Sequence, residues 1–195
     1  MKKFDVKEVL RPTVVLAVIC LVVTGLLAAT RAVTKGPTET LETERQIASR
    51  QEVLPSAASF EKMAVPGQAQ SPYRGIDASG QTVGYVITTS AKGYGGAIQV
   101  MTGVGTDGKI TGVTILSHSE TVGLGANAEK ESFRSQYIQA APDDGFSVYK
   151  AGQAGGEGKI QAMTGATITT TGVTSAVNNA LDVYRAIAED GKGGN

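Results

Sequence analysis

The chain has 195 residues, 18 basic and 18 acidic side chains, one cysteine and no tryptophan. A single cysteine excludes an intramolecular disulfide framework, a CxxC redox pair and a Cys-rich zinc site, and the balanced charge with 5% aromatic residues argues against a nucleic-acid binder. The neutrality is sorted along the chain. Residues 1–35 carry six basic against two acidic residues, for +4, and the remainder carries twelve against sixteen, for −4.

The first predicted element is a membrane span. Between Arg11 and Arg31 lie 19 uncharged residues, PTVVLAVICLVVTGLLAAT, which at about 1.5 Å per residue cross most of a bilayer core. Pro12 is expected at the helix start, where a missing N–H is harmless, and Cys20 is expected to pack as a small apolar residue. Four basic residues precede the span and two follow closely, which places residues 1–11 in the cytoplasm, the span at 12–32 and the rest outside. The apolar run is longer than that of a cleaved signal, and Arg31 interrupts the small-residue cut site, so a retained anchor is the reading.

Residues 33–70 form a polar connector with Pro37, Pro55 and Pro66 as breaks and one helical stretch, TETLETERQIASRQEVL. Glycine then becomes dense, with 22 of 25 glycines beyond residue 70, which marks a turn-rich domain over 71–190. YRGI, DASG and QTVGYVITTS read as one hairpin, and AIQVMTGV, GTDG and KITGVTIL as another. Residues 126–140 read as a short helix with Phe133, Tyr137 and Ile138 inward, and FSVYK and GKIQAM as short strands. Val173, Ala176, Val177, Ala180, Leu181, Tyr184, Ile187 and Ala188 recur at helical spacing, predicting a helix from Thr170 to Ala188 before a flexible tail at 191–195. The predicted class is α+β, with β-hairpins and a C-terminal helix behind one transmembrane helix.

Two phosphate-like motifs fail on context. GVGTDG (103–108) matches GxGxxG, but a second strand follows where a nucleotide fingerprint needs a helix. GGEGKI lacks both the first glycine and the closing Ser or Thr of a phosphate loop. His118 has no evident nucleophile and orienting partner, so a structural role is expected. The informative segment is MTGATITTTG, Met163–Gly172. A small-residue turn followed by hydroxyl residues opens the last helix, which suits either a phosphate on the free amides or a helix cap from Thr169, Thr170 or Thr171.

TGATIT resembles the flavinylation motif (S/T)GATxT of the FMN-binding domain found in the G protein of Rnf complexes and the C protein of sodium-pumping NADH:quinone oxidoreductases. HSETVGLG, His118–Gly125, resembles the HxETPGLG loop of the same family, with Val122 in place of the usual proline. The resemblance implies FMN joined by a phosphoester to Thr167, with Thr164, Gly165, Ala166, Thr169 and Thr170 around it and Glu120, Thr121, Gly123, Leu124 and Gly125 lining the pocket. Further implications are an electron-transfer role, the other membrane and iron–sulfur or flavin subunits of an Rnf complex as partners, a flavin transferase for maturation, and contact with membrane lipid. The compact length favours the Rnf G protein over its quinone-reductase counterpart. Two rivals are an anchored FMN module that serves another reductase or senses redox state, and a structural domain whose TGATITT is only a cap.

Overall fold

A computed structural model of the chain describes residues 6–65, 70–150 and 152–192. Pro66 and the last three residues of the predicted tail lie outside them. The chain divides into two units, residues 1–45 and 46–195. The first is helical. Helix α1 is assigned over Val6–Val53, and its stretch Pro12–Thr30, with mean hydropathy 2.6, is long and apolar enough to cross a membrane. Pro12 therefore sits inside the helix rather than at its start, where it removes one amide from the ladder. Pro37, expected as a break, also falls within the helical span.

The second unit begins with the last turns of α1, inside the stretch expected as connector. Five strands follow, β1 (Ser59–Lys62), β2 (Tyr73–Ile76), β3 (Thr82–Lys92), β4 (Ala97–Gly105) and β5 (Ile110–Ser117), forming an antiparallel meander in the order β1-β2-β3-β4-β5. Both predicted hairpins are present, β2 with β3 and β4 with β5. The GVGTDG segment ends β4 and turns into β5. Gly108 takes the left-handed φ of 78° that the turn requires.

One sheet face packs the long helix α3 (Thr167–Lys192). Ile98, Val100, Val104, Ile110 and Val113 of the sheet meet Val173, Ala176, Val177 and Leu181 of the helix, all buried. Alternate strand residues face one way and meet the helical i, i+3, i+4 stripe. The opposite face is covered by Val53, Leu54 and Ala57, which cluster with Val86 and Met101. Gly103 and Gly112 make that contact: a Cβ on Gly103 would stand 2.1 Å from the Val53 carbonyl oxygen and one on Gly112 2.7 Å from Val53 Cα. Residues 53–62 are therefore part of the folded body, contributing core and an edge strand.

The predicted helix at 126–140 is broken into a 3₁₀ turn (Gly125–Glu129), a single α-helical turn α2 (Glu131–Arg134) and a second 3₁₀ turn (Ser135–Tyr137). Phe133 and Tyr137 are buried as expected, but Ile138 is 54% exposed, because the chain leaves helical geometry there. The Tyr137 ring meets Phe133 and Phe146 edge-on, with centroids 5.8 and 5.5 Å away. The short strands β6 (Ser147–Tyr149) and β7 (Lys159–Gln161) pair in parallel.

Candidate functional site

Helix α3 starts at Thr167, three residues before the predicted Thr170. The turn that feeds it is closed by the Ala166 N–H to the Met163 carbonyl at 3.0 Å, and Gly165 supplies a φ of 74° that an L side chain adopts only with strain. The threonines expected as caps lie within the first helical turns. Thr171 donates its hydroxyl back to the Thr167 carbonyl. Thr170, fully buried, donates to the Ala166 carbonyl and accepts the Met163 N–H at 3.1 Å, so it pins the preceding turn. The Thr170 N–H is the first to reach a carbonyl four residues back, that of Ala166. The amides of Thr167, Ile168 and Thr169 thus form the open, electropositive end of the helix.

The loop after β5 comes to this helix end. Glu120 is buried, 8% exposed, and its two carboxyl oxygens are engaged. Oε1 accepts the Gly95 N–H at 2.9 Å and Oε2 accepts the Thr169 hydroxyl at 2.5 Å. Glycines make room for it: a Cβ on Gly93 would lie 2.4 Å from Oε1, and one on Gly125 2.6 Å from Oε2. His118 is spent on the same loop, with Nδ1 accepting the Glu120 N–H at 3.0 Å and Nε2 meeting Glu129 Oε1 at 3.1 Å. This is the structural role expected for it. The loop closes on itself through the amides of Leu124 and Ala126, both bonded to the Thr121 carbonyl, with Gly123 at a φ of 80°.

Between the loop and the helix end lies a cleft of about 490 Å³, lined by Tyr94, Glu120, Thr121, Leu124, Gly125 and residues 165–169. The volume falls within the roughly 300–1,000 Å³ of small-molecule sites. Its walls are divided in character. Tyr94, Leu124 and Ile168 expose large apolar surfaces, while Thr167, half-buried at the first helical position, stands beside the open amides. Among the residues expected around a bound group, Thr164 is exposed on the turn, Thr170 lies buried beneath it, and Gly123 is at the loop tip; none of the three lines the cleft. Val122 points to solvent, 89% exposed. Tyr94 and Ile168 were not expected. The available signal for Tyr94 was a lone aromatic in the glycine run Gly93-Tyr94-Gly95-Gly96.

The sequence profile of the FMN-binding domain family matches residues 93–182, which encompass every element of the cleft. The G protein of the Na(+)-translocating ferredoxin:NAD(+) oxidoreductase complex of Acetobacterium woodii is 36% identical over 202 residues, spanning 96% of this chain and 97% of that protein. The chain belongs to the RnfG family of ion-translocating oxidoreductase complexes. The family member from Methanosarcina acetivorans, the G protein of an ion-translocating oxidoreductase complex, is 35% identical over 93% of this chain and 97% of its own length. The crystal structure of the C protein of the Na(+)-translocating NADH-quinone reductase from Parabacteroides distasonis superposes with a TM-score of 0.52 over 70% of this chain and 89% of that one, at 22% identity. That likeness concerns the fold. Membership of the RnfG family together with the apolar helix at Pro12–Thr30 identifies a membrane-anchored protein.

The residues present fit the flavin that the family profile names. A flavin mononucleotide needs one anion-binding pocket and one apolar slot, and the cleft joins the open amides of residues 167–169 to the uncovered side chains of Tyr94, Leu124 and Ile168.

Proposed function

We propose that this chain carries FMN joined by its phosphate to the Thr167 hydroxyl and passes electrons within a membrane-bound ferredoxin:NAD oxidoreductase complex that moves ions. The observation that supports this most is the position of Thr167. It opens α3 on the cleft wall, beside three helical amides without helical partners, within a segment that the Glu120–Thr169 bond ties to the second motif. FMN, when bound, supplies one-electron and two-electron chemistry. The protein's part is placement. The amides of residues 167–169 hold the phosphodiester charge, Gly165 turns the chain so that no side chain blocks the approach, and Leu124 and Ile168 exclude water from the slot.

Thr167 is an acceptor for a flavin transferase rather than a catalyst, and a tether keeps the group with a domain that faces away from the cytoplasm. That sidedness rests on the +4 segment of residues 1–35. Electrons reach and leave the domain through other membrane, iron–sulfur or flavin subunits, and the apolar span contacts lipid. The test is the full chain co-expressed with a flavin transferase and run under denaturing conditions. A band with flavin fluorescence in the wild type, absent in Thr167→Ala, supports the reading; a dark wild-type band, or a fluorescent Thr167→Ala band, overturns it.

A further inference from the structure

Tyr94 combines a fixed backbone with an uncovered side chain. Its turn joins β3 to β4 and is held from several directions. The Gly93 N–H bonds the Gly96 carbonyl at 2.7 Å, and the Gly95 N–H bonds Glu120 Oε1 at 2.9 Å. The neighbours are packed so closely that neither tolerates a side chain: a Cβ on Gly93 would meet Glu120 Oε1 at 2.4 Å, and one on Gly95 would meet the Ser119 carbonyl oxygen at 2.0 Å. From below, Gly172 of α3 brings the helix to the same turn, its missing Cβ being 2.8 Å from the Lys92 carbonyl oxygen. A surface turn with one large side chain ordinarily gains stability by laying that side chain on the protein. Here the ring remains 71% exposed and borders the cleft that Thr167 opens.

We infer that Tyr94 is the stacking platform of the site, a positioning residue whose phenol ring covers one face of the tethered isoalloxazine, with Glu120 acting indirectly by fixing the turn that presents it. This rests on the flavin reading above and deepens it. The chemistry is aromatic. Among the described residues that line the cleft, Tyr94 alone has a π-face, and offset ring pairs are favoured beyond simple area burial. Leu124 and Ile168 give apolar contact but no such preference. Because the turn is rigid, a planar group held at Thr167 meets a platform already in place, which reduces the ordering cost of a tether with several rotatable bonds.

The experiment compares the full-length wild type with Tyr94→Leu and Tyr94→Phe, each co-expressed with a flavin transferase. An electron-rich phenol in contact with an excited flavin quenches its emission, and an ordered stack gives the flavin a visible circular dichroism signal. The denaturing-gel flavin band is expected in all three chains, since Tyr94 does not carry the tether. In the folded state Tyr94→Leu is expected to emit about threefold more strongly than the wild type and to lose most of its visible dichroism, in keeping with stacking that shifts the covered population by roughly two- to tenfold. Tyr94→Phe is expected to keep the dichroism. Because the side chain is exposed, all three chains should melt together, so a change in optical signal is not unfolding. Equal emission and dichroism in wild type and Tyr94→Leu, with the band present, overturn this inference alone. Absence of the band from every chain overturns the flavin reading and this inference with it.

Discussion

The Thr169 hydroxyl donates to Glu120 Oε2 at 2.5 Å across 49 residues of sequence, and this single bond joins the loop after β5 to the first turn of α3. Both groups are buried, Thr169 at 2% exposure and Glu120 at 8%. Thr169→Val keeps the side-chain shape and removes the donor, which leaves a buried carboxyl oxygen without its partner. The expected cost is about 1–3 kcal/mol, read as a lower urea midpoint with unchanged slope. Thr169→Ser should restore most of it. A valine variant within about 0.5 kcal/mol of wild type would count against the bond as the link between the two segments.

Two glycines of the same loop are needed for different reasons, and alanine separates them. At Gly123 the space is open but φ is 80°, so Gly123→Ala costs the left-handed conformation alone, about 1–2 kcal/mol. At Gly125 an added Cβ stands 2.6 Å from Glu120 Oε2 and 2.7 Å from Thr169 Oγ1. Gly125→Ala must therefore push the bonded pair apart, at about 3 kcal/mol. Since Gly125→Ala and Thr169→Val break the same bond, their double mutant should lose clearly less than the sum, whereas Gly123→Ala with Thr169→Val should be close to additive. Additivity in the first pair would show that Gly125 serves something other than this bond.

How far the sequence anticipated these features depended on the range of the interaction. The hairpins were legible because Asp77 and Gly80, and Gly105 and Gly108, each bond within their own turn. The stripe of α3 was legible because its period is local. Its start was misplaced because the small residues before Thr170 read as a turn, whereas Thr170 supports the helix start from inside by accepting the Met163 N–H. The role of Val53 and Leu54 was hidden because their partners are glycines in β2 to β5, about 20 to 60 residues away, and a glycine that admits a neighbour looks the same in sequence as one that makes a turn. Both segments of the site were visible as strings of residues. What they do for each other was not, since the Glu120–Thr169 bond and the exposed ring of Tyr94 exist only once the sheet has brought its turn to the helix end.

Thr102 offers a test of the core away from the site. It is fully buried on β4, between Ile87 and Val113 of the neighbouring strands, and its hydroxyl has no hydrogen-bond partner among the described residues. A buried hydroxyl that gave up water without replacement opposes folding. Thr102→Val exchanges it for a methyl group of the same shape and improves strand preference. The expected gain is about 1 kcal/mol, or roughly 2–4 °C in Tm for a unit of this size. A destabilised Thr102→Val protein would mean that the hydroxyl is satisfied in solution by a bound water.

Tyr137 sets the alkaline limit of the fold. Its ring is fully buried between Phe133 and Phe146, and this burial raises the phenol well above its ordinary 10.0, while its hydrogen bond with the Thr174 hydroxyl opposes the shift. The folded chain thus keeps a proton that the unfolded chain releases above pH 10. In that range the unfolded state binds fewer protons, so stability is intact below the unfolded value and declines as pH rises beyond it. The slope approaches about 1.4 kcal/mol per pH unit. Tyr184 is also raised by burial, but lies partly exposed and adds less. Tyr137→Phe should lose about 1 kcal/mol at neutral pH with the Thr174 bond and then decline far less steeply above pH 10. Parallel alkaline unfolding profiles for the two proteins would assign the alkaline transition to another group.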